Sequence, residues 1–209
     1  MASQREGVYE KIIECSRREF LEKGFLKASL RTISKNAGVT TGTIYSRFKD
    51  KEALFDEVVH AHAEKILSVY NRGIDTYYNF SDEDKCSEMN RLTDDCMMEM
   101  LDIIYDDYEC SKILICCSEG TSYENFIHEM IKKEVDSTED FAKTLKNIKG
   151  QKDSCMDKEL FHMIASGFLS AFFEITAHDM DKKSAIKRII LLKKFYTGGW
   201  ERLFGINFV

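Results

Sequence analysis

Between Val39 and Leu54 the chain crowds hydrogen-bonding groups into a few turns. Thr40, Thr41, Thr43, Tyr45 and Ser46 each carry a hydroxyl, Arg47 a guanidinium and Lys51 an ammonium. Such groups donate hydrogen bonds to phosphate oxygens and base edges. At about 100° per residue, Ile44 and Phe48 fall on one face of a short helix. Gly42, Thr43, Tyr45 and Ser46 cover the opposite side, with Arg47 on the flank. Gly42 weakens a helix by roughly 1 kcal/mol relative to alanine, which is understandable where another surface must come close. A solvated helix face usually displays Glu and Lys, whereas this one holds no carboxylate before Asp50. A hydroxyl-rich, carboxylate-free face suits a polyanion, and predicts a helix that lies in the major groove of DNA.

The preceding segments are suited to hold that helix. Ser29 is placed to cap a short helix over Leu30 to Ala37, with Leu30, Ile33 and Ala37 inward. Gly38 follows, the residue that most readily takes positive φ at a helix end. Helix, tight turn, helix is the helix-turn-helix layout. Upstream, Glu6 to Lys23 reads as a longer helix with Ile12, Cys15, Ser16 and Phe20 on its inner side, stopping at Gly24 so that Phe25 can fold back. Together these make a module of about 50 residues, small for a self-sufficient core.

Three runs carry a specific pattern: Ile12-Ile13-Glu14-Cys15 with Phe20-Leu21-Glu22-Lys23-Gly24-Phe25, then Ser29-Leu30-Arg31-Thr32-Ile33-Ser34, then Ala37 to Tyr45 with Phe48-Lys49-Asp50-Lys51-Glu52-Ala53-Leu54. Over roughly its first quarter the chain resembles the DNA-binding domain of TetR-family regulators. The resemblance implies an all-helical homodimer that binds double-stranded DNA at a palindromic operator, most often as a repressor. It also implies a larger C-terminal domain whose small-molecule effector releases the DNA. From the chemistry and this likeness, Thr41, Gly42, Ser46 and Arg47 are expected at base edges. Ser29, Arg31, Thr40, Thr43, Tyr45 and Lys51 are expected on phosphates. The division expected is 1–50 for DNA binding and 51–209 for a helical effector-binding and dimerisation domain.

Charge follows the same division. Residues 1–51 hold 11 Lys/Arg against 6 Asp/Glu, whereas the whole 209-residue chain carries a formal net charge of −6. A basic head on an acidic body keeps phosphate attraction local. The chain has no proline, which favours long helices. The longest nearly apolar stretch, Ile164 to Phe173, reads as too short to span a membrane, and the charged N-terminus does not read as a signal peptide, so a cytoplasmic protein is expected. The seven cysteines (15, 86, 96, 110, 116, 117 and 155) have no CxxC spacing and read as reduced thiols. The five histidines are scattered, and His60 and His62 point to different helix faces, so neither catalysis nor a metal or other cofactor is expected. A thiol-based redox or metal-responsive regulator is the alternative, resting on the number of thiols and the adjacent Cys116-Cys117 pair.

Beyond the head, Lys51 to about Asn71 reads as a connecting helix with Leu54, Val58, His62 and Ile66 on one packed face. Further helices are expected at 83–105, 109–118, 121–148 (with a bend at Ser137), 155–178 and 182–204. Breaks are expected at Asp106-Asp107, Gly120, Gly150 to Ser154 and Asp179 to Asp181. The last two helices present apolar stripes, so Phe168, Ala171, Phe172, Ile189, Tyr196 and Trp200 are expected at a dimer interface. Cys116, Glu119, Tyr123, Phe126, Phe161 and Phe172 are expected around an effector pocket for an apolar or cationic ligand.

Overall fold

The computed structural model describes residues 2–149 and 156–208, with the side chains of residues 2–6 and 149 left aside. The described residues form nine helices and no strand: α1 (Ala2–Lys27), α2 (Leu30–Ala37), α3 (Thr41–Tyr45), α4 (Lys51–Asn79), α5 (Asp82–Asp106), α6 (Tyr108–Cys116), α7 (Phe126–Lys149), α8 (Lys158–Ala177) and α9 (Lys182–Phe204). The all-α class expected from the sequence is the one observed. The expected break at Gly150 to Ser154, and Cys155, lie outside the described residues.

Helix α1 runs over Ala2–Lys27 rather than Glu6 to Lys23, and three further differences from expectation have local reasons. The connecting helix runs on to Asn79, because Gly73 serves close packing rather than termination: a Cβ there would sit 2.8 Å from the Cys96 sulfur. Helix α7 starts at Phe126, five residues later than expected. The Thr121 hydroxyl and amide both turn back to the Ser118 carbonyl, at 2.7 and 3.0 Å, and this local pairing competes with helix. Ser137 does not interrupt α7; its hydroxyl bonds the Glu134 carbonyl at 3.0 Å within a continuous helix.

By contacts the chain divides into two compact units, Met1–Lys65 with Ile104–Asn125, and Ile66–Ile103 with Phe126–Val209. Residues 104–125, assigned from sequence to the second domain, therefore pack with the N-terminal stretch. In the first unit, Gly24 adopts φ 69°, ψ 164° and breaks the regular helix. Phe25 then turns inward, its amide donating to the Cys117 carbonyl at 2.9 Å. Phe20, Phe25 and Phe55 form the centre, with Phe55 edge-on to the other two at 5.0 and 5.5 Å. Each fully buried phenylalanine contributes about 1.5–3 kcal/mol. Asp107 caps α6 through the Cys110 amide at 3.1 Å and pairs with Arg17 of α1. On α4, Leu54, Val58 and His62 are all buried, as their spacing predicts, and His62 Nε2 lies 2.6 Å from the Ser111 hydroxyl.

The second unit is built from the later part of α4 with α5, α7, α8 and α9. Phe161, Ala165, Leu169 and Phe172 of α8 recur at helical spacing and are all buried. The 20-residue α8 is long and apolar enough, by length and composition alone, to cross a bilayer. The sequence reading counted only the shorter run Ile164 to Phe173 within it. The helix packs against α7 and α9, the placement of a core helix in an α-helical unit.

Candidate functional site

The helix-turn-helix forms because each end has its own stop signal. Ser29 accepts from the Thr32 amide at 3.4 Å and caps α2, while the Ser29 amide donates to the buried Glu19 carboxylate at 3.0 Å. Gly38 closes α2 in the left-handed region (φ 69°, ψ 30°), a conformation that costs L side chains about 1–2 kcal/mol. Thr40 then caps α3, accepting from the Thr43 amide at 3.2 Å. Ile33, Ala37, Ile44 and Phe48 are buried, so the turn is clamped from both sides.

The opposite face of α3 is left outward. Gly42, Tyr45, Ser46 and Arg47 are exposed; Thr41 and Thr43 are half-buried. The Ser46 hydroxyl bonds the Thr43 carbonyl at 2.8 Å, and the Thr40 and Thr43 hydroxyls lie 3.0 Å apart. A Cβ added to Gly42 would meet only the Thr40 hydroxyl, at an ordinary 3.6 Å. The fold of this chain therefore does not require glycine there. Ser29 and Arg31, at the start of α2, are half-buried and exposed respectively.

Lys51 is placed differently from the sequence expectation. Its ammonium donates to the carbonyls of Phe25, Leu26 and Ala28 at 2.6, 3.2 and 3.2 Å, and lies 4.5 Å from the centre of the Phe25 ring. Desolvation lowers its pKa. The ammonium thus satisfies carbonyls freed where α1 ends, and Asp50 caps α4 through the Ala53 amide at 2.8 Å. A phosphate at this helix start would face a carboxylate and an ammonium already engaged.

The six expected pocket residues are divided between the two units. Cys116, Glu119 and Tyr123 belong to the first unit, and Phe126, Phe161 and Phe172 to the second. Glu119 and Cys116 are exposed, the three phenylalanines are core, and Tyr123 bonds Asp56 at 2.5 Å. Instead the second unit contains two adjoining cavities of about 100 Å³ each, neither lined by any of the six. They share Met89, Thr93, Glu134, Ser137 and Phe168. Glu134 was legible in principle: it continues the stripe of Met130, Ser137 and Phe141, and a carboxylate on a buried stripe is a signal in itself.

The expected dimer residues are also partly core. Phe172 and Ile189 are 0% and 1% exposed. Phe168 and Tyr196 meet edge-on at 5.1 Å, and Trp200 stacks on Phe204 at 5.3 Å, all within the chain. What α8 and α9 leave outward are Met163, Ile190, Leu191, Phe195 and Leu203, with Phe195 at 74% and Leu191 at 65% exposure. Exposed small residues, Gly167, Ser170, Gly198 and Gly199, lie on the same helices.

Cys15, Cys96, Cys110 and Cys117 are unbridged thiols. Burial pushes Cys110 up to about 12, and raises Cys117 and Cys96. Such thiols resist ionisation, which weakens the redox alternative.

Residues 12–58 match the family model described as bacterial regulatory proteins, tetR family. The HTH-type transcriptional regulator UidR of Escherichia coli K12 is 29% identical over 75 residues, covering 36% of this chain and 38% of that protein. The HTH-type transcriptional regulator YvdT of Bacillus subtilis is 41% identical over 68 residues, 32% and 33% of the two chains. The HTH-type transcriptional repressor Rv1474c of Mycobacterium tuberculosis is 34% identical over 61 residues, 29% and 33%. The match thus spans little more than a third of these curated relatives. Solved structures extend the likeness in fold to most of the chain. FadR of Bacillus subtilis, in complex with stearoyl-CoA, superposes with a TM-score of 0.56 at 16% identity, over 90% of this chain and 97% of that one. A TetR-like regulator of Rhodococcus sp. RHA1 gives 0.55 at 15% identity, over 95% and 96%.

Proposed function

We propose, on the premise that this chain belongs to the TetR family of bacterial regulatory proteins, that it is a homodimeric, ligand-responsive repressor of transcription. The observation that carries the reading is the outward face of α3: hydroxyls, a phenol and a bare glycine, with Ile44 and Phe48 buried behind them. Thr41, Gly42, Ser46 and Arg47 read base edges, and Ser29, Arg31, Thr40, Thr43 and Tyr45 hold phosphates. Lys51 anchors the start of α4 to the end of α1, and reaches a phosphate only by giving up those bonds.

Two copies pair through the outward apolar face of α8 and α9, centred on Leu191 and Phe195, and the pair reads a palindromic operator. The effector occupies the cavities beside Glu134, and its binding releases the DNA. A DNA partner places the protein in the cytoplasm. Selection of bound duplexes from a random pool, followed by affinity measurement against salt, tests the reading. A two-fold symmetric consensus and a steep fall of affinity with salt are expected. A folded protein that enriches no sequence and shows no salt-dependent retention would refute it.

A further inference from the structure

The shared wall of the two cavities holds one feature that plain packing does not explain. Among the described residues, Glu134 and Lys193 are the only charged ones lining either cavity. Lys193 is neutralised: its ammonium lies 2.5 Å from the Asp94 carboxylate and 2.9 Å from the Asn90 carbonyl. Glu134 has no cationic partner among the described residues. Its one donor among them is the Tyr70 hydroxyl at 3.1 Å, which also reaches the Met130 carbonyl at 2.8 Å. A single phenolic proton divided between two acceptors leaves the carboxylate under-satisfied. Burial accordingly pushes the Glu134 pKa up. A carboxylate of similar volume to an apolar residue is expensive in such a place unless something supplies the missing charge.

We propose that Glu134 is the counter-ion for a lipophilic amine, bound as its ammonium ion with the hydrocarbon part along the aromatic and methionine walls. This rests on the reading of these cavities as the effector site. The ammonium donates to the carboxylate oxygen that Tyr70 leaves unserved, and the rings of Phe168 and Tyr196 supply faces for the adjoining positive charge. Met89 beside them, with Met97 and Met100 in the second cavity, adapts its shape to the tail. Lys193, already paired, offers an anionic head no comparable free cation.

Trp200 lines the first cavity and is the sole tryptophan of the chain, so its fluorescence reports occupancy directly. Decylammonium, decanol and decanoate share one tail and differ in the head. The full-length protein is expected to bind decylammonium at least about tenfold more tightly than decanol, and decanoate most weakly. Glu134→Gln, which keeps the side-chain shape, is expected to abolish the preference for decylammonium over decanol. Equal affinities for all three in the unmodified protein would overturn the charge assignment and leave the effector cavity standing; so would a preference for decanoate. No response to any of them, with titration calorimetry also silent, would remove the effector cavity and this proposal together. The three-probe comparison uses the unmodified chain, so its outcome does not depend on how well the variant folds.

Discussion

The outward faces of α3 and α9 are both candidate partner surfaces, and they are built in opposite ways. On α3 the apolar residues are spent inward, on Ile44 and Phe48, and polar groups remain outside. On α9 Ile189 is buried within the chain, yet Ile190, Leu191 and Phe195 stay outside. A polar surface recognises a hydrated polyanion through hydrogen bonds and charge; an apolar one gains by removing itself from water. The first surface can stand alone in solution without penalty, whereas the second invites its own symmetry mate.

The largest effect should come from reversing the character of the α9 face. Leu191→Glu with Phe195→Glu is expected to halve the mass seen by light scattering and to weaken operator binding by about a hundredfold or more. The helix content should be retained, since neither side chain is buried in the chain. If the double variant still elutes as a dimer, this face is not the interface. Smaller effects are expected on α3. Tyr45→Ala should weaken binding about tenfold across all duplexes, whereas Thr41→Ala should shift base preference in a selection experiment. A uniform loss from Thr41→Ala would move it to the phosphate group of contacts.

Gly42→Ala separates fold from recognition. Glycine-to-alanine in a helix stabilises by about 0.5–1 kcal/mol, and the added methyl has room in this chain. Thermal melting should therefore rise slightly while operator affinity falls. An unchanged affinity would show that the duplex does not approach Gly42.

The smallest effect is a pH dependence set inside the first unit. Desolvation lowers the His62 pKa, helped by Lys65 and Arg17 and opposed by Asp107. The folded protein then holds the neutral imidazole where the unfolded chain takes a proton, so stability is present above the unfolded pKa and declines as pH falls below about 6.5. His62→Asn should flatten that decline in chemical denaturation curves. A slope unchanged by the substitution would assign it to other groups.

Much of the reading head was legible because its determinants are short-range. Ser29, Gly38 and the Ile44/Phe48 spacing act within one or two turns, and the observed caps and burial follow them. The proposed dimer face was less legible. Phe172 and Ile189 lie in stripes apolar on more than one side, and a helical wheel cannot tell which side the chain keeps for itself. The cavities were least legible. Residues such as Met89, Glu134 and Phe168 come from three separate helices, and their convergence depends on packing that no local pattern encodes.

The amino-acid order alone determined the helical class, the turn that presents α3 and the polar character of its outward face, since backbone conformation and capping respond to neighbours within a few residues. Tertiary structure decided that Lys51 serves the carbonyls at the end of α1, that residues 104–125 join the first unit, and that Glu134 meets a cavity with no cationic partner among the described residues. Those outcomes depend on which distant side chains compete for the same space and the same hydrogen bonds, and that competition is settled only when the helices pack.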